Sequence, residues 1–83
     1  MSSSTVDLLY FARVAELVGK RGETWPLGEA GTGEQLLAAL RARYPQLAEA
    51  RRLRLAVNQE HASPDTPVRP GDEVAIFEPV TGG

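Results

Sequence analysis

The sequence predicts an α+β domain in which one main helix packs on one face of a mixed sheet. Two observations carry that expectation. A single well-capped amphipathic helix occupies the middle of the chain, from Thr32 to Tyr44. Runs with period-two alternation flank it at Val6–Phe11, Leu53–Val57 and Glu73–Phe77, and such alternation marks half-buried strands. At 83 residues, with 42% hydrophobic and 24% charged residues, the chain has room for one domain and one core. A domain this small buries only about 60% of its unfolded surface, so its few elements must be regular and well packed.

In chain order, residues 1–4 are expected to form a frayed leader, since Ser2, Ser3 and Ser4 carry no periodicity. In the first strand Val6, Leu8 and Tyr10 point one way, and Asp7, Leu9 and Phe11 the other. The charge on Asp7 assigns the second set to the less covered side. Ala12–Val18 reads as a short helix closed by Gly19, a residue that readily adopts the left-handed conformation after a last turn. Glu23–Leu27 is the second strand, with Trp25 as its anchor and Pro26 placing it at a sheet edge. Thr32 and Gln35 have capping-box spacing. Leu36, Leu37, Leu40 and Tyr44 then form one apolar stripe, which Pro45 ends. Leu47–Arg51 is irregular or a helical turn. In the third strand Leu53, Leu55 and Val57 alternate with Arg54, Ala56 and Asn58. Asn58-Gln59 turns the chain into a weak strand or loop around His61–Ser63. Pro64–Gly71 is loop, and Pro70-Gly71-Asp72 is a tight turn feeding the last strand. Its Val74 and Ile76 lie on one face, with Ala75 and Phe77 on the other.

Strand, short helix, strand, main helix and three further strands match the β-grasp, or ubiquitin-like, fold. Composition narrows the function. The absence of cysteine excludes a disulfide framework, a thiolate metal site and a cysteine nucleophile. One histidine, His61, cannot build a zinc site alone. Turn chemistry accounts for Asp72 beside Asp65 and Glu73, so no metal site is assigned. A formal net charge of −2 argues against general nucleic-acid binding. Arg51, Arg52 and Arg54 form the only basic cluster and read as a solvated surface. No apolar run approaches the roughly 20 residues of a membrane span, and the first residues lack the features of a secretion signal. A cytoplasmic location is the default.

The most informative segment follows Phe77: Glu78-Pro79-Val80-Thr81-Gly82-Gly83. Pro79 interrupts the strand, so residues 79–83 are expected to leave the sheet as a tail reaching at most ~17 Å. Two glycines without Cβ atoms suit a narrow channel in a partner. A carboxylate is a poor electrophile, because its charge repels nucleophiles and oxide leaves badly. Joined to AMP, the Gly83 carboxylate would become a mixed anhydride that a sulfur donor attacks, giving a thiocarboxylate. Without cysteine, covalently carried sulfur has no other plausible seat.

From about Val6 to Gly83 the chain closely resembles the small, sulfur-carrier subunit of molybdopterin synthase. The landmarks are Leu9-Tyr10-Phe11-Ala12-Arg13-Val14-Ala15-Glu16-Leu17-Val18-Gly19, Ala56-Val57-Asn58-Gln59, Pro70-Gly71-Asp72-Glu73-Val74-Ala75-Ile76-Phe77, and the ending Pro79-Val80-Thr81-Gly82-Gly83. The resemblance implies a cycle. An E1-like adenylating enzyme activates Gly83 with ATP and magnesium, and a sulfurtransferase supplies sulfur. The loaded tail, with Gly82 allowing its passage, enters the large catalytic subunit of the synthase. Two transfers convert cyclic pyranopterin monophosphate to molybdopterin, in a complex that is typically a heterotetramer. The chain itself would contribute no catalytic side chain and bind no cofactor tightly. Phe11 and Phe77 match the family's apolar docking positions. His61 stands at a third, where an apolar residue is more usual, and Glu78 stands where proline is frequent. Pro79, Val80 and Thr81 complete the partner-binding set. The competing expectations are a sulfur carrier for thiamine or cysteine biosynthesis and a ubiquitin-like protein modifier.

Overall fold

The structure, a computed structural model, describes residues 4–28, 31–50 and 52–79. Five strands, β1 (Thr5–Tyr10), β2 (Gly22–Pro26), β3 (Arg54–Val57), β4 (Glu60–Ala62) and β5 (Glu73–Phe77), form one mixed sheet in the order β2-β1-β5-β3-β4. The central pair, β1 with β5, is parallel, and the other neighbours are antiparallel. Helix α1 (Ala12–Val18) follows β1, helix α2 (Gly33–Arg43) precedes β3, and a short 3₁₀ helix spans Pro45–Glu49.

Alternation decides which face is covered. Val6, Leu8 and Tyr10 of β1, Val74 and Ile76 of β5, and Leu55 of β3 are buried together with Leu36 and Leu40 of α2. Fully burying one such aliphatic side chain contributes about 1.5–3 kcal/mol. Trp25 lies opposite Val6 on β2, half-buried, with its ring centroid 6.2 Å from that of Tyr44. As expected from Pro26, β2 is an edge strand.

The elements match the sequence expectations with small shifts. Phe11 is not the last residue of β1 but the N-cap of α1, in extended conformation at φ −120°, ψ 146°. The chain then turns sharply through Ala12 at φ 49°, a left-handed conformation uncommon outside glycine. Ser4 is not frayed: its carbonyl accepts a hydrogen bond from the Leu27 N–H at 2.7 Å, extending the β1–β2 edge. Gly19 ends α1 at φ 92°, as its position predicts. Leu47 belongs to the 3₁₀ helix and is fully buried.

The start of α2 is where the sequence signal is richest and the structure adds most. An isolated helix start leaves its first amides unsatisfied. Here Gln35 N–H donates to Thr32 Oγ1 at 3.3 Å, and Thr32 N–H donates to Gln35 Oε1 at 3.2 Å, the full capping box. The two intervening amides, of Gly33 and Glu34, donate to the carbonyls of Thr66 and Pro64 at 2.9 and 2.8 Å. The proline-rich loop between β4 and β5 is therefore tied to the helix start. Gly33 lets the helix start pack closely on β3: a Cβ there would sit 2.8 Å from Leu55 Cδ1.

Two buried tyrosines find one acceptor. Tyr10 and Tyr44 both donate their hydroxyls to Glu23 Oε2, at 2.5 and 2.7 Å, and Lys20 Nζ approaches Oε1 at 3.3 Å. Partial burial alone would raise the Glu23 pKa, but the hydrogen bonds from Tyr10, Tyr44 and Lys20 outweigh it, and the carboxyl titrates below its ordinary value. The Tyr10 phenol is pushed far up, by burial first and then by its bond to Glu23. This triad joins β1, β2 and the end of α2 across the core.

Two outcomes test this account. Thr32→Ala is expected to lower stability by about 1 kcal/mol, read as a shift of the urea midpoint at constant slope. A carboxyl with a lowered folded pKa contributes stability above its unfolded value and loses it as pH falls through the folded one. Glu23→Gln is therefore expected to cost about 1–2 kcal/mol at neutral pH and to flatten the decline in melting temperature below roughly pH 5. Parallel pH profiles for parent and variant would contradict the assignment.

Candidate docking face and tail root

The sheet face opposite α2 has no element of the described residues across it. The strand register sets its composition. Leu9 is paired with Ala75, Ala75 with Ala56, and Ala56 with His61, a row that crosses β1, β5, β3 and β4. Two alanines make the middle of this row shallow. Leu9 and Phe77 are half-buried beside it, and Phe11 is 49% exposed at its end. Phe11 owes that exposure to the turn through Ala12, which sends α1 toward the covered face. The placement of Leu9, Phe11, Ala75 and Phe77 on the less covered side follows directly from the sequence alternation.

His61 is exposed on β4, and its ring meets Phe77 edge-on, with centroids 5.6 Å apart and planes at 81°. The histidine edge thus extends the aromatic surface of Phe77 toward the sheet border. From sequence alone it was grouped with Phe11 and Phe77 only through the family resemblance. The alternating register of a three-residue strand is what brings it to Phe77.

Because β1 and β5 are parallel, their C-terminal ends lie side by side. The Phe11 N–H donates to the Ile76 carbonyl at 3.2 Å, so the start of α1 adjoins the point where the chain leaves β5. Glu78 and Pro79, the root of the tail, are half-buried there. The Arg13 guanidinium reaches Glu78 at 3.7 Å and Glu49 at 3.8 Å. This contact escaped sequence reasoning, since the three residues are remote in the chain and belong to no shared motif. The remaining tail residues assigned from sequence, Val80, Thr81, Gly82 and Gly83, lie outside the described residues.

Other polar residues serve the fold. Asp72 accepts from Asn58 Nδ2 at 3.1 Å and from the Arg69 N–H at 2.9 Å. Asp65 accepts from Ser63 Oγ at 2.8 Å. These bonds hold turns, including the two-residue β3–β4 hairpin, in which Asn58 and Gln59 have φ 51° and 72°. Among the described residues no group of three histidine, cysteine or acidic side chains is placed to hold a metal ion, and no helix is long and apolar enough to cross a membrane. Arg52 and Arg54 are exposed; Arg51 lies outside the described residues.

Comparison with known proteins places this geometry in context. The model of the ThiS family matches residues 8–83. The molybdopterin synthase sulfur carrier subunit of Escherichia coli (strain K12) is 43% identical over 82 residues, covering 94% of this chain and 99% of that protein. Its counterpart from Homo sapiens is 37% identical over 82 residues, covering 94% and 93%. Among solved structures, a putative molybdopterin converting factor subunit 1 from Pyrococcus furiosus superposes with a TM-score of 0.81 at 29% identity, covering 94% of this chain and 100% of that one. The small archaeal modifier protein 1 of Haloferax volcanii gives 0.79 at 27% identity, covering 95% and 99%.

Proposed function

Since the chain belongs to the ThiS family, we propose that it is the sulfur carrier of a molybdopterin synthase, working through the carboxylate of Gly83. The observation that carries this reading is the likeness, along almost the whole chain, to proteins named as sulfur carrier subunits of that synthase. The geometry supports it physically: the exposed apolar face and the root of the tail lie at the same end of the sheet. A partner that covers Phe11 and Phe77 therefore sits where the chain departs toward Gly83.

The proposed chemistry follows from what a carboxylate lacks. An E1-like enzyme uses ATP and magnesium to convert Gly83 to an acyl adenylate, with pyrophosphate leaving. A hydrosulfide equivalent from a sulfurtransferase then attacks the carbonyl, AMP departs with the bonding electron pair, and a thiocarboxylate remains. Its sulfur bonds to a carbon of cyclic pyranopterin monophosphate in the large catalytic subunit, displacing an oxygen substituent. Water then hydrolyses the acyl–sulfur bond, returning the Gly83 carboxylate and leaving sulfur on the pterin, and two loaded carriers complete one dithiolene. The chain supplies no acid or base to these steps. Its folded body docks and its tail carries the reacting atom.

A second reading rests on the likeness to small archaeal modifier protein 1: the same activated Gly83 joined to lysines of other proteins. Isopeptide-linked remnants, without a thiocarboxylate form, would favour it.

Deletion of Gly83 is expected to abolish sulfur transfer in the reconstituted synthase while leaving the melting temperature nearly unchanged, because the last residue of a chain rarely contributes packing. Intact-mass analysis of the parent chain treated with its activating enzyme, ATP and a sulfur donor should show one oxygen exchanged for sulfur; absence of that species overturns the carrier reading. At the docking face, Phe77→Ala should weaken partner binding more than folding. Phe11→Ala is expected to raise the dissociation constant for the large subunit roughly 5- to 30-fold, with stability held within about 0.5 kcal/mol. Unchanged calorimetric affinity would remove Phe11 from the interface.

A further inference from the structure

The root of the tail is held by a charged contact that none of the docking residues provides. Arg13 stands in the first turn of α1, two residues after Phe11. Its Nη1 lies 3.7 Å from Glu78 Oε1 and its Nη2 lies 3.8 Å from Glu49 Oε1. One guanidinium therefore spans two carboxylates, one on the 3₁₀ helix and one on the first residue after β5. The three side chains differ in freedom. Glu49 is 68% exposed and Arg13 49%, but Glu78 is only 25% exposed. The carboxylate at the root is thus the most enclosed member, and Arg13 is its only ionic partner among the described residues. The planar fork of arginine suits this task, because its two terminal nitrogens can face separate carboxylates.

Both ends of the contact are anchored. Val14 and Val18 of α1 are buried, and the Phe11 amide bonds to the Ile76 carbonyl. Arg13 therefore extends from a fixed platform. Glu78 comes one residue after the last strand residue and immediately before Pro79, whose ring fixes φ. A side-chain contact at 78 and a rigid φ at 79 together restrict the heading of the chain as it leaves the body. Were residues 79–83 fully extended they would reach about 17 Å, and a change of heading by about 30° would then move the far end by roughly 9 Å.

We propose that Arg13 is a positioning residue for sulfur transfer, aiming the tail by holding Glu78 against Glu49 and the start of α1. The proposal rests on the sulfur-carrier reading for its consequence, but the contact itself can be tested apart from it. Misdirection of a reacting atom lowers the rate of the chemical step, because the productive arrangement is visited less often. It leaves docking intact when the docking face is unchanged.

The experiment uses the full-length chain loaded as the thiocarboxylate and the large synthase subunit, with single-turnover transfer and equilibrium affinity measured separately. Arg13→Glu and Glu78→Arg are each expected to slow transfer about fivefold or more, with affinity and melting temperature close to the parent's. The double exchange restores opposite charges at the two positions and should return the rate to within about twofold. Arg13→Lys should recover only part of it, since one ammonium cannot fork between two carboxylates. Parent-like rates in both single variants, or a double variant as slow as either single, overturn the proposal. If the parent chain accepts no sulfur, the carrier reading fails. Arg13 is then judged by the ¹⁵N order parameter of the Glu78 amide, expected to fall in Arg13→Ala and to recover in the charge exchange. An unchanged order parameter would sink the aiming role.

Discussion

The parallel pairing of β1 with β5 is the constraint from which the rest of this molecule follows. Antiparallel neighbours would place the end of β1 beside the start of β5. The parallel register, Tyr10 opposite Ile76, instead puts both strand ends at one edge of the domain. Phe11, the first turn of α1, Phe77 and Glu78 thereby become neighbours, although more than sixty residues separate them in the chain. A parallel pair needs a long crossover between its strands. Here that connection contains β2, both helices and the β3–β4 hairpin, so nearly the whole domain is the link between two strands whose ends lie side by side.

The two faces of the sheet serve different ends. On the covered face, large aliphatic side chains from β1, β3 and β5 meet Leu36 and Leu40, and the hydroxyls of Tyr10 and Tyr44 converge on Glu23. On the other face, Ala56 and Ala75 occupy the middle of the row, with Leu9, Phe77, Phe11 and His61 around them. Small central residues and larger peripheral ones form a shallow apolar surface. Its physical cost is exposed hydrocarbon, and the fold limits that cost by keeping Leu9 and Phe77 half-buried. Family membership and this uncovered face support the same reading, since a carrier must dock reversibly on enzymes that act at its terminus.

Chemistry and fold are separated in such a design. Under the proposed carrier role no side chain would have to act as acid, base or nucleophile, leaving side chains to serve packing, capping and docking. Asp72, Asp65 and Glu23 all illustrate this: each is an acidic residue whose acceptor capacity is taken up by nearby donors. Arg13 is different, because it bridges carboxylates on two separate segments, the 3₁₀ helix and the residue after β5. A contact between exposed charges adds little stability. Its proposed role at the root of the tail is therefore one of direction and not of stability.

The sequence by itself determined the elements of this protein. The Thr32/Gln35 capping box, the stripe through Leu36 and Leu40, the alternation of Val6 to Tyr10 and Val74 to Phe77, and the breaks at Gly19 and Pro45 are all local signals, and each produced the element expected of it. It also marked Phe11 and Phe77 as residues of the less covered face, because alternation assigns sides within a strand. The family was legible for a similar reason, being carried by contiguous motifs. Tertiary structure alone decided which strands are neighbours, that His61 meets Phe77, that Tyr10 and Tyr44 share one carboxylate, and that Arg13 reaches Glu78. The physical reason is range. Periodicity and capping operate over three or four residues, whereas those contacts join segments brought together only when the whole sheet closes around β1 and β5.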